Sequence, residues 1–391
     1  MTSPFEKSEY LARIEKTQQA MAKQGIDTLV AVDPANMNYL TGYDGWSFYT
    51  PQAVVVSSKL SEPICCTRAM DAAGAKLTTF LKAESIIGFP DHYVQSTERH
   101  PFDYLAEKLR ERGLDRGTVG LEMDAYYFSP MAYESLKAHL PNARFVDSKG
   151  LVNWVRAIKS PREIEYMSQA ARIMERVMRV GVDAVEPGTR QCDAVAKIYA
   201  AQVSGTPEYG GDYTSFAPML PTGIGTSTPH LTWNDKPFVR GEATILELGA
   251  ARLRYHCPMA RTVFLGKPPQ KLLDTEKVVL EGTQAAIDAA KPGATCEDVE
   301  AAWRGVISRH GIKKESRIGY SIGLNYPPDW GEHTMSLRPH DKTVLQPNMC
   351  FHVIPAIWMD DWGVEISEAI EITDRGANPF CNFARKVFVK D

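Results

Sequence analysis

Two side chains in this sequence carry the groups that acid–base chemistry needs. Glu247 lies in "TILELGAARLRYHCPMARTVFLG" (244–266), flanked by Ile245, Leu246 and Leu248, and His230 lies in "GIGTSTPHLTW" (223–233). An unpaired carboxylate in an apolar strand is expensive. Glu247 is therefore either satisfied internally, by an arginine or by backbone N–H groups, or faces a substrate whose charge sets its pKa. His230 sits in a loop rich in Gly, Ser, Thr and Pro, and is either a surface residue or a placed proton donor. A second polar group, Tyr320, Glu332 and His333, falls in "GYSIGLNYPPDWGEHTMSLRP" (319–339), a stretch that suits a binding loop or an ordinary surface loop. A third, His352, Glu365 and Glu368, falls in "MCFHVIPAIWMDDWGVEISEAIEITDRG" (349–376), which reads as strand, turn, strand. Period-2 alternation predicts that Glu365 faces solvent.

Several chemistries lack their residues. No G-x-G-x-x-G, phosphate-binding P-loop, G-x-S-x-G or H-E-x-x-H occurs, so dinucleotide, nucleotide, serine-hydrolase and zincin readings have no support. Seven cysteines, with Cys65 and Cys66 adjacent, follow no disulfide or metal spacing and suit reduced thiols in the cytoplasm. A net charge of −4 supplies no basic field for nucleic acid or an anionic membrane surface. The N-terminal stretch is acidic in part and has no apolar core, so no secretory signal is expected. No apolar run approaches the roughly 18 residues that span a bilayer.

At 391 residues, 44% of them apolar, the chain is long enough for two domains. Over the first 150 residues helices and strands alternate. Leu11, Ile14 and Met21 predict one buried helical face closed by Gly25, and "DTLVAV", "QAVVVSS", "EPICCT" and "TVGLEM" predict strands of an α/β domain. The texture changes at "KSPREIEYMSQAARIMERVMRVG". Ser160 caps a helix with Pro161 first and Glu163 in capping-box register, and Ile164, Met167, Ala171, Met174 and Met178 form its apolar face. The boundary is placed near 155, giving domains 1–155 and 156–391. Within the second, "EPGTRQCDAVAKIYAAQV" and "KPGATCEDVEAAWRGVIS" share a Pro-Gly break, a Thr near the cap and an early acidic residue. This faint repeat predicts a pseudo-symmetric α+β domain whose site lies on the open face of a curved sheet.

The ordered stretches "KSPREIEYM", Pro229-His230, "ILELG", "ARTVFLG", "GYSIG" and "FHVIPAIW…GVEISEAIEIT" resemble the creatinase/aminopeptidase P superfamily. The resemblance implies an α/β N-terminal domain followed by an α+β pita-bread catalytic domain. Peptidase members hold two metal ions with five acidic or histidine ligands. Those positions correspond here to Glu247, Pro258, Tyr320, Ile354 and Ser367, so metal-dependent peptidase activity is not expected and no cofactor is predicted. Two glutamates that bind creatine in creatinase correspond to about Ala260 and Ile366, so creatine is disfavoured. Over the full length the chain looks most like the ectoine hydrolases, metal-free relatives that open a cyclic amidine.

That resemblance implies a small zwitterionic substrate. Glu247 would attack the ring carbon or activate water, and His230 would protonate the departing nitrogen. Tyr320, His333, Glu332 and Glu368 are the expected substrate contacts, and Arg68 the anchor for the substrate carboxylate. Arg68 would be supplied across a creatinase-like homodimer. Two alternatives stay open: another small C–N substrate, or a non-catalytic relative that binds peptides or proteins.

Overall fold

A computed structural model describes residues 4–391, and the chain divides into two units, one ending at Arg156 and one running from Ala157 to Asp391. In the first, six strands form a mixed sheet: β1 (Thr28–Ala31), β2 (Ala53–Ser57), β3 (Ile64–Arg68), β4 (Ile86–Phe89), β5 (Gly117–Leu121) and β6 (Ala143–Asp147). Their order is β4-β3-β2-β1-β5-β6; β2 runs antiparallel to β1 and β3, and the other pairings are parallel. Helices α1 (Lys7–Gln24), α2 (Pro34–Thr41), α3 (Ala72–Thr78), α4 (Pro101–Glu111), α5 (Pro130–His139) and α6 (Leu151–Val155) complete this unit. The buried face of α1 is Tyr10, Ile14, Thr17 and Met21, with Arg13 alongside. Leu11, predicted for that face, is instead 45% exposed, one position off the stripe.

The second unit opens with α7 (Pro161–Ala184), whose capping box is the predicted Ser160–Glu163 pair. Then come α8 (Gln191–Ser204), β7 (Ala243–Arg252), β8 (Tyr255–Leu265), α9 (Gln270–Ala289), α10 (Cys296–Arg309), β9 (Gly319–Ile322) and β10 (Gly331–Ser336). The run helix, helix, strand, strand thus occurs twice, as the internal repeat predicted. The caps differ, however. Thr295 closes a capping box with Asp298 on α10, whereas α8 starts from Arg190 with no side-chain cap and Thr189 lies one residue outside.

Strands β11 (Cys350–Val353), β12 (Ala356–Trp358), β13 (Gly363–Glu365), β14 (Glu368–Thr373), β15 (Gly376–Pro379) and β16 (Phe388–Lys390) finish the chain. They build a five-stranded sheet, β10-β9-β11-β14-β15, a three-stranded sheet, β16-β8-β7, and the β12–β13 pair. Backbone bonds stitch these together along β8: His256 N–H donates to Gly323 O (2.9 Å) and Ser367 N–H to Ala260 O (3.1 Å). One helix layer covers the sheet. Leu246 and Leu248 meet α7 at Gly181, where a Cβ would stand 3.3 and 3.1 Å from their methyls. Val364 and Ile366 join the core formed with α9 and α10. Among the described residues no helix is long and apolar enough to cross a membrane.

Candidate active site

Strand alternation decides which side chains meet on the face turned away from the helices. Since Leu246 and Leu248 point to α7, Glu247 and Gly249 point the other way. Ala260 lies opposite Glu247 in the β7–β8 register, and Pro258 opposite Gly249. Pro258 costs this ladder nothing. The N–H groups of its neighbours on the same edge, His256 and Ala260, leave β7 and bond Gly323 O and Ser367 Oγ, so the missing donor falls on that outer edge too.

A polar chain crosses this face. Trp330 Nε1–H donates to Tyr320 Oη (2.8 Å), Tyr320 Oη lies 3.0 Å from His352 Nδ1, and His352 Nε2 lies 2.7 Å from Ser367 Oγ. Ser367 Oγ also accepts the Ala260 N–H at 2.7 Å. His352 and Tyr320 face each other in the β9–β11 register, which is what lets ring and hydroxyl meet. Burial, with Arg317 nearby, pushes His352 down to about 3, so its ring is neutral. The indole of Trp330 is fully buried, packs on Phe216 at 4.4 Å between ring centroids, and lies over Gly249, where a Cβ would come within 2.7 Å of Cζ3. Glycine at 249 is what admits the indole. Arg317 stacks on the Tyr320 ring at 4.5 Å.

Glu247 is buried and its pKa is pushed up to about 7, by burial first and by the charge of Asp329 second. Asp329 itself, despite burial that raises its pKa, is held below the usual carboxylate range by hydrogen bonds from His333 and the Gly331 N–H. Glu365 stands on the same face. Val364 and Ile366 point into the helix-side core, so Glu365 and Ser367 take the opposite side, where Ser367 meets His352. The expectation that Glu365 faces solvent is therefore wrong: it has no exposure, because both faces of this segment are covered. Burial, followed by the charge of Glu247, raises its pKa well above normal.

The remaining predicted residues are distributed as follows. Tyr320 is in the site, and burial with the charge of Glu247 holds its hydroxyl protonated. His333 is exposed and engaged with Asp329 at 2.7 Å. His230 is exposed on the loop after the short helical turn Gly223–Ser227, and among the described residues its ring has no hydrogen-bond partner. Its neighbour Leu231 bonds Leu220 N–H at 3.0 Å, and Met219 in turn exchanges backbone bonds with Glu247, so this loop is tied to the Glu247 strand. Glu332 and Glu368 are not presented as free anions. Glu332 accepts from Lys159 Nζ at 2.6 Å with both partners buried. Glu368 faces the helix side, one residue past Ser367, and accepts from Arg261 Nη2 at 2.7 Å. Arg68 lies in the N-terminal unit, ion-paired with Asp91.

Glu365, Trp330, His352 and Asp329 were not expected as site residues. Only the polar types of His352 and Glu365 stood out in the sequence, and no periodicity marks Trp330 or Asp329. His256, also on this face, is structural: Nδ1 bonds Arg254 O (2.9 Å), Nε2 accepts the Ser215 N–H (2.9 Å), and burial lowers its pKa to about 4. It pins the segment that delivers Phe216.

Residues 165–374 match metallopeptidase family M24, and residues 13–158 match the creatinase/prolidase N-terminal domain. The chain belongs to this family and is a hydrolase of its class. It is 47% identical to an ectoine hydrolase of Halomonas elongata, over 99% of this chain and 98% of that one. To an Xaa-Pro dipeptidase of Lactobacillus helveticus it is 27% identical, over 94% and 96% of the two chains. The crystal structure of prolidase from Thermococcus sibiricus superposes with a TM-score of 0.84 at 20% identity, covering 97% of this chain and 99% of that one, and fixes the pita-bread fold.

The metallopeptidase fold implies a metal centre, but the donor chemistry here does not fit one. Pro258 and Ile354 offer no side-chain ligand, and the hydroxyls of Tyr320 and Ser367 are bound within the His352 chain. No group of three or more His, Cys, Asp or Glu arranged for a metal occurs among the described residues. Hard divalent ions need several oxygen or nitrogen donors.

Proposed function

We propose that this protein opens the cyclic amidine ring of ectoine, giving N-acetyl-2,4-diaminobutyrate, without a metal ion. The observation that carries the reading is Glu247: a buried carboxylate kept on a face whose other family ligand positions, Pro258, Tyr320, Ile354 and Ser367, hold neither an acid nor an imidazole. The similarity to an ectoine hydrolase over nearly the whole of both chains supports the same substrate.

The ring is a cation, and its positive charge supplies the electrophilic activation that a Lewis acid gives in the peptidases. A site carrying Glu247 beside the aromatic rings of Trp330, Tyr320 and Phe216 attracts such a cation. Before binding, burial keeps Glu247 partly protonated; the bound amidinium lowers its pKa and yields the carboxylate. Glu247 then either adds to the ring carbon between the two nitrogens or takes a proton from water that adds there. One C–N bond breaks, and His230 gives the leaving nitrogen its proton. In the nucleophilic branch water then adds to the same carbon and breaks its bond to Glu247, freeing the carboxylate; in either branch the water oxygen becomes the acetyl oxygen and the water hydrogens end on the freed amine. In the nucleophilic branch an imidoyl adduct on Glu247, carrying the mass of the whole opened substrate, is trapped by rapid quenching; in the base branch the protein mass never changes.

Arg68 anchors the substrate carboxylate from a partner subunit, so the working form is a homodimer in the cytoplasm. Sedimentation showing only monomer removes Arg68 from the site.

The test is incubation of the protein with ectoine, creatine and an Xaa-Pro dipeptide, with products identified by mass spectrometry. Ectoine alone is consumed, with a gain of one water. Consumption of the dipeptide, or of nothing, overturns the reading.

A further inference from the structure

Glu365 is the most expensive group on the sheet face. Its side chain has no solvent exposure, and among the described residues neither carboxylate oxygen has a hydrogen-bond partner. Buried polar atoms are nearly always paired, and a carboxylate left without partners is disfavoured more than any neutral group. The backbone leaves it no freedom to escape. Thr262 Oγ1 accepts the Glu365 N–H (2.9 Å) and donates to Glu365 O (3.0 Å), locking the residue against β8 with its side chain on the Glu247 side.

The nearby cation does not relieve it. Lys314, on the segment between α10 and β9, bonds Ala356 O at 2.8 Å and lies 4.4 Å from the centre of the Trp358 ring. Its charge acts on Glu365, yet among the described residues the two form no ion pair. The other charged group acting on Glu365 is Glu247 on β7, which opposes its ionisation. A fold gains nothing from such an arrangement unless something outside the chain completes it.

We propose that Glu365 is a second substrate-contacting carboxylate, which takes an N–H of the cationic ring and so turns the ring carbon toward Glu247. This rests on the reading of the site as one for a cyclic amidinium. An amidinium is flat, delocalised and carries N–H groups on two diverging nitrogens. The bound cation releases to water the proton that burial holds on Glu365, and one ring N–H then satisfies the carboxylate through a charge-assisted bond, leaving Glu247 to act at carbon. A neutral peptide amide brings no charge to offset the buried carboxylates, so Glu365 also selects against the peptides that relatives of this fold cleave.

Glu365→Gln keeps the shape and removes the charge; Glu365→Met serves if the amide variant does not fold. Two readouts are taken, steady-state kinetics on ectoine and the thermal shift produced by acetamidinium, a minimal amidinium probe. The variant is expected to raise KM for ectoine at least tenfold with a smaller change in kcat, and to lose the acetamidinium stabilisation that wild type shows. The free variant melts no lower than wild type, because an unpaired buried acid has been removed. A KM within twofold of wild type overturns the proposal. So does a lower melting temperature with kcat and KM degraded together, the mark of a structural role. If wild type is stabilised by acetamidinium, and the variant is not, but ectoine is left untouched, the substrate reading fails while Glu365 keeps its role. Turnover of ectoine with an unchanged KM in the variant gives the reverse.

Discussion

Tyr320 and His352 face each other across β9 and β11, with hydroxyl and ring nitrogen 3.0 Å apart. The hydroxyl also accepts from Trp330, and Ser367 Oγ, on the far side of the imidazole, already accepts from Ala260. A neutral imidazole has one N–H. If Nε2 carries it, Tyr320 donates to Nδ1 and the Ser367 proton is left over; if Nδ1 carries it, the Tyr320 proton is left over. His352 therefore decides whether Tyr320 can donate to a bound substrate. His352→Phe removes this control and leaves two hydroxyls short of a partner. Stability falls by about 1–3 kcal/mol, and kcat falls more than KM rises. Denaturant unfolding and steady-state kinetics together check this; an unchanged kcat would limit His352 to packing.

The raised pKa of Glu247 makes stability depend on pH. Its folded value, about 7, lies above the ordinary glutamate value of 4.5, so the folded state binds the extra proton. The associated stability is complete below about pH 4.5, declines as pH rises, and is gone above about pH 7, a change on the order of 3 kcal/mol. Glu247→Gln escapes this penalty. The variant gains on wild type in urea unfolding between pH 4.5 and 7, and the gap then stays level. A gap that narrows with rising pH contradicts a raised pKa.

His230 lies exposed on a loop, with no partner among the described residues to hold its ring. His230→Ala lowers kcat on ectoine by roughly 10² to 10⁴, the usual contribution of a placed acid. Stability stays within about 0.5 kcal/mol, as for an exposed side chain. A loss in kcat below tenfold removes it from proton transfer.

Glu368 is a structural acid. Arg261, its fully buried partner, also donates to the carbonyls of Ala260, Ser367, Phe383 and Ala384. Arg261→Met strips Glu368 of its main cation and costs about 3–5 kcal/mol, read by thermal unfolding. Glu368→Gln keeps the hydrogen bond and leaves KM for ectoine within twofold. A tenfold rise in KM would return Glu368 to the substrate.

The sequence made some of this visible and hid the rest for identifiable reasons. Glu247 stood out because an acid among Ile245, Leu246 and Leu248 breaks an apolar run, and the two helix pairs showed through their Pro-Gly breaks. Glu365 was assigned to solvent because alternation reveals two faces without saying what covers each. Here Val364 and Ile366 meet helices while Glu365 and Ser367 meet other strands. Trp330 and Asp329 lie where the chain turns before β10, and no period marks such positions. Glu332 and Glu368 looked like binding groups because their partners, Lys159 and Arg261, are 173 and 107 residues away in the chain. Long-range pairing of that kind leaves no local trace.

Under the proposed function Glu247 does its chemistry without a metal ion. The most direct measurement is ectoine turnover by protein whose metal content is followed by elemental analysis through chelation and re-addition of divalent ions. Full activity with metal far below one ion per chain, unmoved by added metal and absent in Glu247→Ala, is the expected result. Activity that disappears on chelation and returns with a divalent ion would contradict it.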